Sequence, residues 1–282
     1  MWVYWLLGLA VAGLAGYLLD REIYFYEGVH LGPRVQAWLY DRWARNYDAG
    51  KRESQQQDAE MLARPLVEAL QDVPAPLVLD FATGTGRLSA ALVSEPGFRG
   101  QILAVDLSLG MLEQAVQKVQ SADVSASARR VEFLRHTALP LPFADATFDA
   151  VCALEVLELF PGMEAPLAEL TRVLKPGGFL LTSRGTEESG RRARVKSRPI
   201  FATLLEAHGL HEVEIVPWWK LFDRVTARKA GTLIPGAERK QLAGVLRCGS
   251  CGQIEWRQET GAWRCLRCTH EKPVTPTGIV LG

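Results

Sequence analysis

The stretch Leu77-Val-Leu-Asp-Phe-Ala-Thr-Gly-Thr-Gly-Arg87 decides the fold of this chain. Its first five residues are apolar except for Asp80, the composition of a strand covered on both faces. The glycines that follow mark a tight strand-to-helix turn, where ligands reach the backbone closely and helix amides are unpaired. An adenosine-type cofactor is expected there. About 20 residues on, a second apolar run, Ile102–Val105, ends in Asp106, and an acid at that spacing accepts both hydroxyls of a ribose.

Outward from this core, Val131–Leu134, Ala150–Leu154 and Phe179–Thr182 are further short apolar runs, most of them separated by helical patterns. Pro74, Pro76, Pro96, Pro140, Pro142 and Pro176 fall in the connections. Strands alternating with helices imply an α/β fold with a mostly parallel sheet covered on both faces. Phe201–Gly209 reads as a helix, and Val213–Val216 with Leu221–Ala227 as closing antiparallel strands. A nicotinamide dehydrogenase would show a third glycine in its phosphate turn, but Gly86 is followed by Arg87-Leu-Ser89.

Over roughly residues 40 to 230 the chain resembles the class I S-adenosylmethionine-dependent methyltransferases, in particular the quinone-biosynthesis and small-molecule branch. Five stretches in family order carry the resemblance: Asp41-Arg-Trp-Ala-Arg-Asn-Tyr-Asp48, the Asp80–Gly86 turn, Asp106-Leu-Ser-Leu-Gly-Met-Leu112, Leu141-Pro-Phe-Ala-Asp-Ala-Thr-Phe-Asp-Ala-Val151 and Arg172-Val-Leu-Lys-Pro-Gly-Gly178. The resemblance implies a Rossmann-like seven-stranded sheet and S-adenosyl-L-methionine as cofactor. It assigns cofactor binding to Tyr47, Asp80, Ala82, Thr83, Gly84, Gly86, Asp106, Leu107, Met111, Thr137, Ala138 and Leu154. Ala82 replaces the family's usual first glycine.

Two departures bear on mechanism. Where relatives carry an acid facing the adenine, this chain has His136-Thr137-Ala138, and where they carry a histidine after the fourth strand it has Leu159. That histidine is a candidate base for a protonated nucleophile. Glu155, Glu158 and Tyr47 remain as weak catalytic candidates, and no base is assigned.

The two ends of the chain carry separate signals. Trp2–Leu19 is an uncharged run of 18 residues, roughly 27 Å as a helix and close to a bilayer's hydrocarbon thickness. Aromatic residues flank it, and no basic residue precedes it as a signal peptide would require. One membrane span is expected, with the following arginines holding the globular part on the cytoplasmic side. At the other end, Cys248, Cys251, Cys265 and Cys268 form two CxxC knuckles 13 residues apart. Such a pair supplies the four thiolates of a closed structural Zn2+ site. Cys152 lies in an apolar run and reads as a small core residue. The expected organisation is an anchor over 1–20, a linker with cofactor-capping helices over 21–60, the catalytic domain over 61–232 and a zinc ribbon over 244–272.

With 32 basic and 32 acidic residues the chain is neutral overall, which argues against a nucleic-acid coating protein. The neutrality is a cancellation. Residues 1–183 carry 15 basic and 22 acidic side chains, residues 184–282 carry 17 and 10. Six of the basic residues lie in Arg184–Arg198, expected as a cationic collar for anionic lipid headgroups or an anionic substrate. Trp218 and Trp219 are expected at an exposed turn. The combined expectation is a membrane-anchored methyltransferase for a lipid-like, quinone-like or other small-molecule acceptor. The alternatives are a catalytically silent cofactor-binding scaffold and a ribbon-guided RNA or protein methyltransferase.

Overall fold

The apolar run at the centre of the sequence forms β1 (Leu77–Phe81), buried throughout, and its side chains divide by the two-residue period of a strand. Leu77, Leu79 and Phe81 enter the core on one side of the sheet, and Val78 enters the core on the other. The computed structural model describes residues 2–122, 130–189, 195–236 and 240–282.

Among the described residues four α-helices precede β1: α1 (Trp2–Asp20), α2 (Pro33–Tyr47), α3 (Arg52–Gln55) and α4 (Arg64–Ala69). After it come α5 (Arg87–Ser94), β2 (Gln101–Asp106), α6 (Leu109–Ala122), β3 (Val131–Arg135), β4 (Phe148–Ala153), α7 (Glu164–Val173) and β5 (Leu174–Gly185). Next are α8 (Arg198–Ala207), β6 (Leu210–Trp219) and β7 (Phe222–Lys229), then the small strands β8 (Trp256–Glu259), β9 (Ala262–Cys265) and β10 (Glu271–Pro273), and finally β11 (Val280–Leu281). Each strand and helix expected in the central part of the sequence is present.

The main sheet has the order β11-β3-β2-β1-β4-β5-β7-β6. Strands from β11 to β5 are parallel to their neighbours, and β7 and β6 pair antiparallel at the far side. The order reverses between β1 and β4, which makes the carboxyl ends of those two strands the crevice where open α/β sheets take ligands. Seven of these strands match the expected sheet. The eighth, β11, comes from beyond the ribbon and pairs Val280 with Leu134 and Leu281 with Arg135.

The ribbon strands β10-β9-β8 form their own sheet, yet they share a core with the larger domain. Trp256 and Trp263 are buried in the cluster that holds Leu141, Phe143 and Leu246. The Trp256 indole donates to the Leu246 carbonyl at 2.7 Å, and Arg247 N–H donates to Pro142 O at 2.8 Å.

Two expectations about the basic half are corrected. Arg184 is 3% exposed, and with Arg198 it clasps the buried carboxylate of Asp223: Arg184 Nη2 lies 2.7 Å from Oδ2, and Arg198 Nη2 lies 2.8 Å from Oδ1. These two arginines therefore hold β5, α8 and β7 together instead of forming a collar, because a buried carboxylate needs paired cations. Residues 190–194 of the same stretch lie outside the described residues. Trp218 is 4% exposed, its ring under the Arg87 guanidinium at 4.7 Å, so this tryptophan is not at an exposed turn.

Candidate active site

The turn after β1 is built on left-handed backbone. Ala82 has φ 54°, Gly84 φ 55° and Gly86 φ 76°. Glycine tolerates that region freely, whereas alanine is strained there, so Ala82 sits at a position whose conformation favours glycine. Gly86 also permits close packing of α5 on α6, since a Cβ there would lie 2.8 Å from Ala115 Cβ. A Cβ on Gly84 would meet nothing within 4 Å, which leaves the turn open on its ligand side.

Asp80 fixes the turn from beneath, accepting the hydroxyls of Thr83 and Ser89 at 2.7 Å each. Asp106, at the end of β2, accepts Gly84 N–H at 2.8 Å and Ser108 N–H at 2.9 Å. Burial pushes its carboxyl up to about 6, although the amides of Ser108 and Gly84 favour the charged form. Burial likewise raises Asp80.

Both groups face a cavity of about 490 Å³. Its lining includes the proposed cofactor residues Tyr47, Asp80, Ala82, Thr83, Gly84, Asp106, Leu107, Met111, Thr137, Ala138 and Leu154. Gly86, between the lining residues Thr85 and Arg87, does not itself line the cavity and acts through the packing just described. The same cavity is also lined by the apolar residues Leu139, Val156, Leu159, Phe160 and Pro161, and by Val29, Gly32, Pro33 and Gln36 before and at the start of α2. Leu159 is thus at the site, and it offers no proton acceptor where the relatives' histidine would stand.

The weak catalytic candidates separate clearly. Glu155 lines the cavity in a left-handed conformation, φ 55°, its N–H held by Ser183 Oγ at 2.6 Å. Arg87 Nη1 reaches its Oε1 at 2.8 Å and Lys51 Nζ its Oε2, so cations occupy both oxygens. Glu158 does not line the cavity; it is 2% exposed and accepts Gly185 N–H at 2.6 Å, a structural contact. Tyr47 lines the cavity, and burial among carboxylates keeps its phenol protonated well above the usual range. It is a donor, not a base.

Sequence reasoning overlooked how the capping segment is latched. Asp41 of α2 accepts Ser108 Oγ at 2.6 Å and Gly110 N–H at 2.8 Å, tying the helix to the start of α6. Asp48 accepts Thr85 Oγ1 at 2.6 Å and pairs with Lys118 at 2.6 Å. Arg87, which the sequence offered only as the residue after Gly86, bridges Asp58 and Glu155. The two acids flank the DRWARNYD stretch, but only the distant partners reveal their purpose.

At the far end, the Sγ atoms of Cys248, Cys251, Cys265 and Cys268 lie within 4.8 Å of one another, with 3.5 Å between Cys248 and Cys268 and 3.6 Å between Cys251 and Cys265. A tetrahedral zinc at about 2.3 Å from each sulfur implies sulfurs about 3.8 Å apart, so the donor set fits. A disulfide would bring two sulfurs to about 2.05 Å, and all four are free thiols.

Comparison with known proteins agrees with this geometry. Residues 78–178 match a family of methyltransferase domains. The ubiquinone/menaquinone biosynthesis C-methyltransferase UbiE of Klebsiella pneumoniae subsp. pneumoniae is 32% identical over 140 residues, 50% of this chain and 50% of that protein. The demethylmenaquinone methyltransferase of Lactiplantibacillus plantarum is 41% identical over 104 residues, 37% of this chain and 43% of that protein. The chain spans about half the length of the curated relatives it matches. Among solved structures, a SAM-dependent methyltransferase from Aquifex aeolicus shares the fold with a TM-score of 0.50 at 22% identity, covering 61% of this chain and 92% of that one. Residues 78–178 thus carry a methyltransferase domain, on the fold shared with that solved S-adenosylmethionine-dependent methyltransferase.

Proposed function

We propose that this protein methylates a quinone-like, apolar-tailed acceptor with S-adenosylmethionine while anchored in a membrane through α1. The observation that carries the reading is that the Gly84 turn and Asp106 share one cavity with the apolar side chains of Leu139, Leu159 and Phe160. The names of the relatives support a quinone-like acceptor.

In this reading Asp106 accepts the ribose hydroxyls, Leu107 and Met111 flank the adenine, and Asp80 holds the turn through Thr83. S-adenosylmethionine supplies a methyl group on a sulfonium, already an excellent leaving group. What the chain adds is orientation and exclusion of water, for which effective molarities correspond to several kcal/mol. Tyr47 donates a hydrogen bond to an oxygen of the acceptor. Glu155, paired with Lys51 and Arg87, positions the cavity wall.

The anchor is supported by composition and exposure. Trp2–Phe25 has a mean hydropathy of 1.7 over its apolar window, and none of that window is buried. An apolar helix exposed all round suits lipid. The four thiolates hold a structural zinc, with no position left open for chemistry.

The test is incubation of the full chain in nanodiscs with methyl-labelled cofactor and separate prenylated hydroquinone, protein and RNA acceptors. Label in the hydroquinone is expected. Label only in RNA or protein would sink the reading. Extraction by alkaline carbonate would count against the anchor.

A further inference from the structure

A second cavity lies beside the first. It is a groove lined by Tyr24, Arg42, Trp43, Asn46 and Tyr47. Tyr24 belongs to the end of the apolar stretch Trp2–Phe25, five residues past its last uncharged turn, where amphipathic rings favour the headgroup region. Across the groove, the Trp43 ring stacks on Tyr24 at 6.4 Å and 27°. Tyr47 lines both this groove and the large cavity.

The path of the chain explains the juxtaposition. After the span, the backbone turns back along α2: Tyr24 lies by Trp43, while a Cβ on Gly28 would lie 2.9 Å from Leu39 Cδ1 and 3.5 Å from Gln36 Cα. The foot of the span therefore stands beside the C-terminal half of α2. Around that helix, at 100° per residue, Arg42, Asn46, Trp43, Gln36, Tyr47 and Tyr40 follow one another across about 160°, the last three on the face that roofs the cavity. Groove and cavity are neighbours on one helix, separated by the Tyr47 ring.

We infer that this groove is the lateral entrance of the acceptor cavity, through which a prenylated hydroquinone passes from the bilayer with its tail left along the stacked Tyr24 and Trp43 rings. The aromatic walls suit an isoprenoid chain, and Arg42 with Asn46 at the rim suits the polar ring as it leaves the headgroup region. The inference rests on the membrane-anchored, quinone-like reading above.

The experiment fills the groove. Asn46 is exposed on α2, so Asn46→Trp adds bulk without disturbing the core. The full chain in nanodiscs is assayed with a prenylated hydroquinone in the lipid and with the same hydroquinone lacking its tail in solution. The KM for the prenylated acceptor is expected to rise about tenfold or more, with the soluble acceptor and the calorimetric affinity for S-adenosylmethionine unchanged. Tyr24→Ala is expected to raise the same KM selectively. Equal effects on both acceptors, or none on either, would overturn the entrance. Turnover of neither acceptor by the wild type would instead remove the functional reading on which it stands.

Discussion

At the scale of single residues, Asp106 and Ala82 carry the sharpest consequences. The ionised Asp106 carboxylate is the form that accepts two hydroxyls, and burial pushes that carboxyl up to about 6. Cofactor affinity should therefore fall as pH drops below about 6, by up to roughly tenfold per unit. Folding stability runs the other way. A carboxyl whose folded pKa is raised favours the folded state at low pH, and that contribution is lost as pH rises through the folded value. Calorimetric titration at pH 5 and pH 7, with thermal unfolding of the empty protein at both, checks the two signs together. Asp106→Ala should abolish cofactor binding, and unchanged affinity would refute the assignment. Ala82, at φ 54°, is strained by roughly 1–2 kcal/mol, part of which a more flexible unfolded chain offsets on replacement. Ala82→Gly should stabilise the protein by a few tenths to about 1 kcal/mol, read as a higher denaturant midpoint.

At the scale of elements, legibility in the sequence tracked locality. The turn after β1, the acid at the end of β2 and both closing strands were readable because each is a local pattern of apolar period, glycine and punctuation. Asp41, Asp48 and Asp58 were not readable as latches, because their partners Ser108, Thr85 and Arg87 lie 67, 37 and 29 positions away. The basic stretch after β5 shows the same limit: composition suggested a solvated collar, whereas Asp223, 39 positions beyond Arg184, draws that arginine into the interior. Removing one partner leaves buried charge uncompensated, so Asp223→Ala should cost about 3 kcal/mol or more. Chemical denaturation with an unchanged m-value and a lower midpoint is the expected outcome; a loss under 1 kcal/mol would mean the pair is solvated.

At the scale of the whole molecule, the ribbon is part of the domain's core and not an appendage. Cys248, Trp256, Trp263 and Cys265 belong to the same cluster as Leu79, Val105 and Leu180 of the central strands. Zinc loss should therefore propagate. A Cys248→Ser, Cys265→Ser variant should lack stoichiometric metal by elemental analysis and unfold at a lower temperature in one transition. Two separated transitions, with the upper one unshifted, would show the ribbon to be independent. The four clustered cysteines were legible by spacing alone; their joining to the core depends on Leu246 meeting Phe143, a pairing that no local pattern announces.

The short strand β11 lies along the free side of β3. A parallel strand left open presents a row of unpaired amides and carbonyls, a template on which a second copy can assemble. The opposite margin, β6, is guarded differently, by exposed His211 and Glu212 and by Pro217 within the strand. Two residue pairs thus act as a stopper against self-association, and a chain ending at Val274 should remain folded yet form higher-order species in light scattering where the full chain does not.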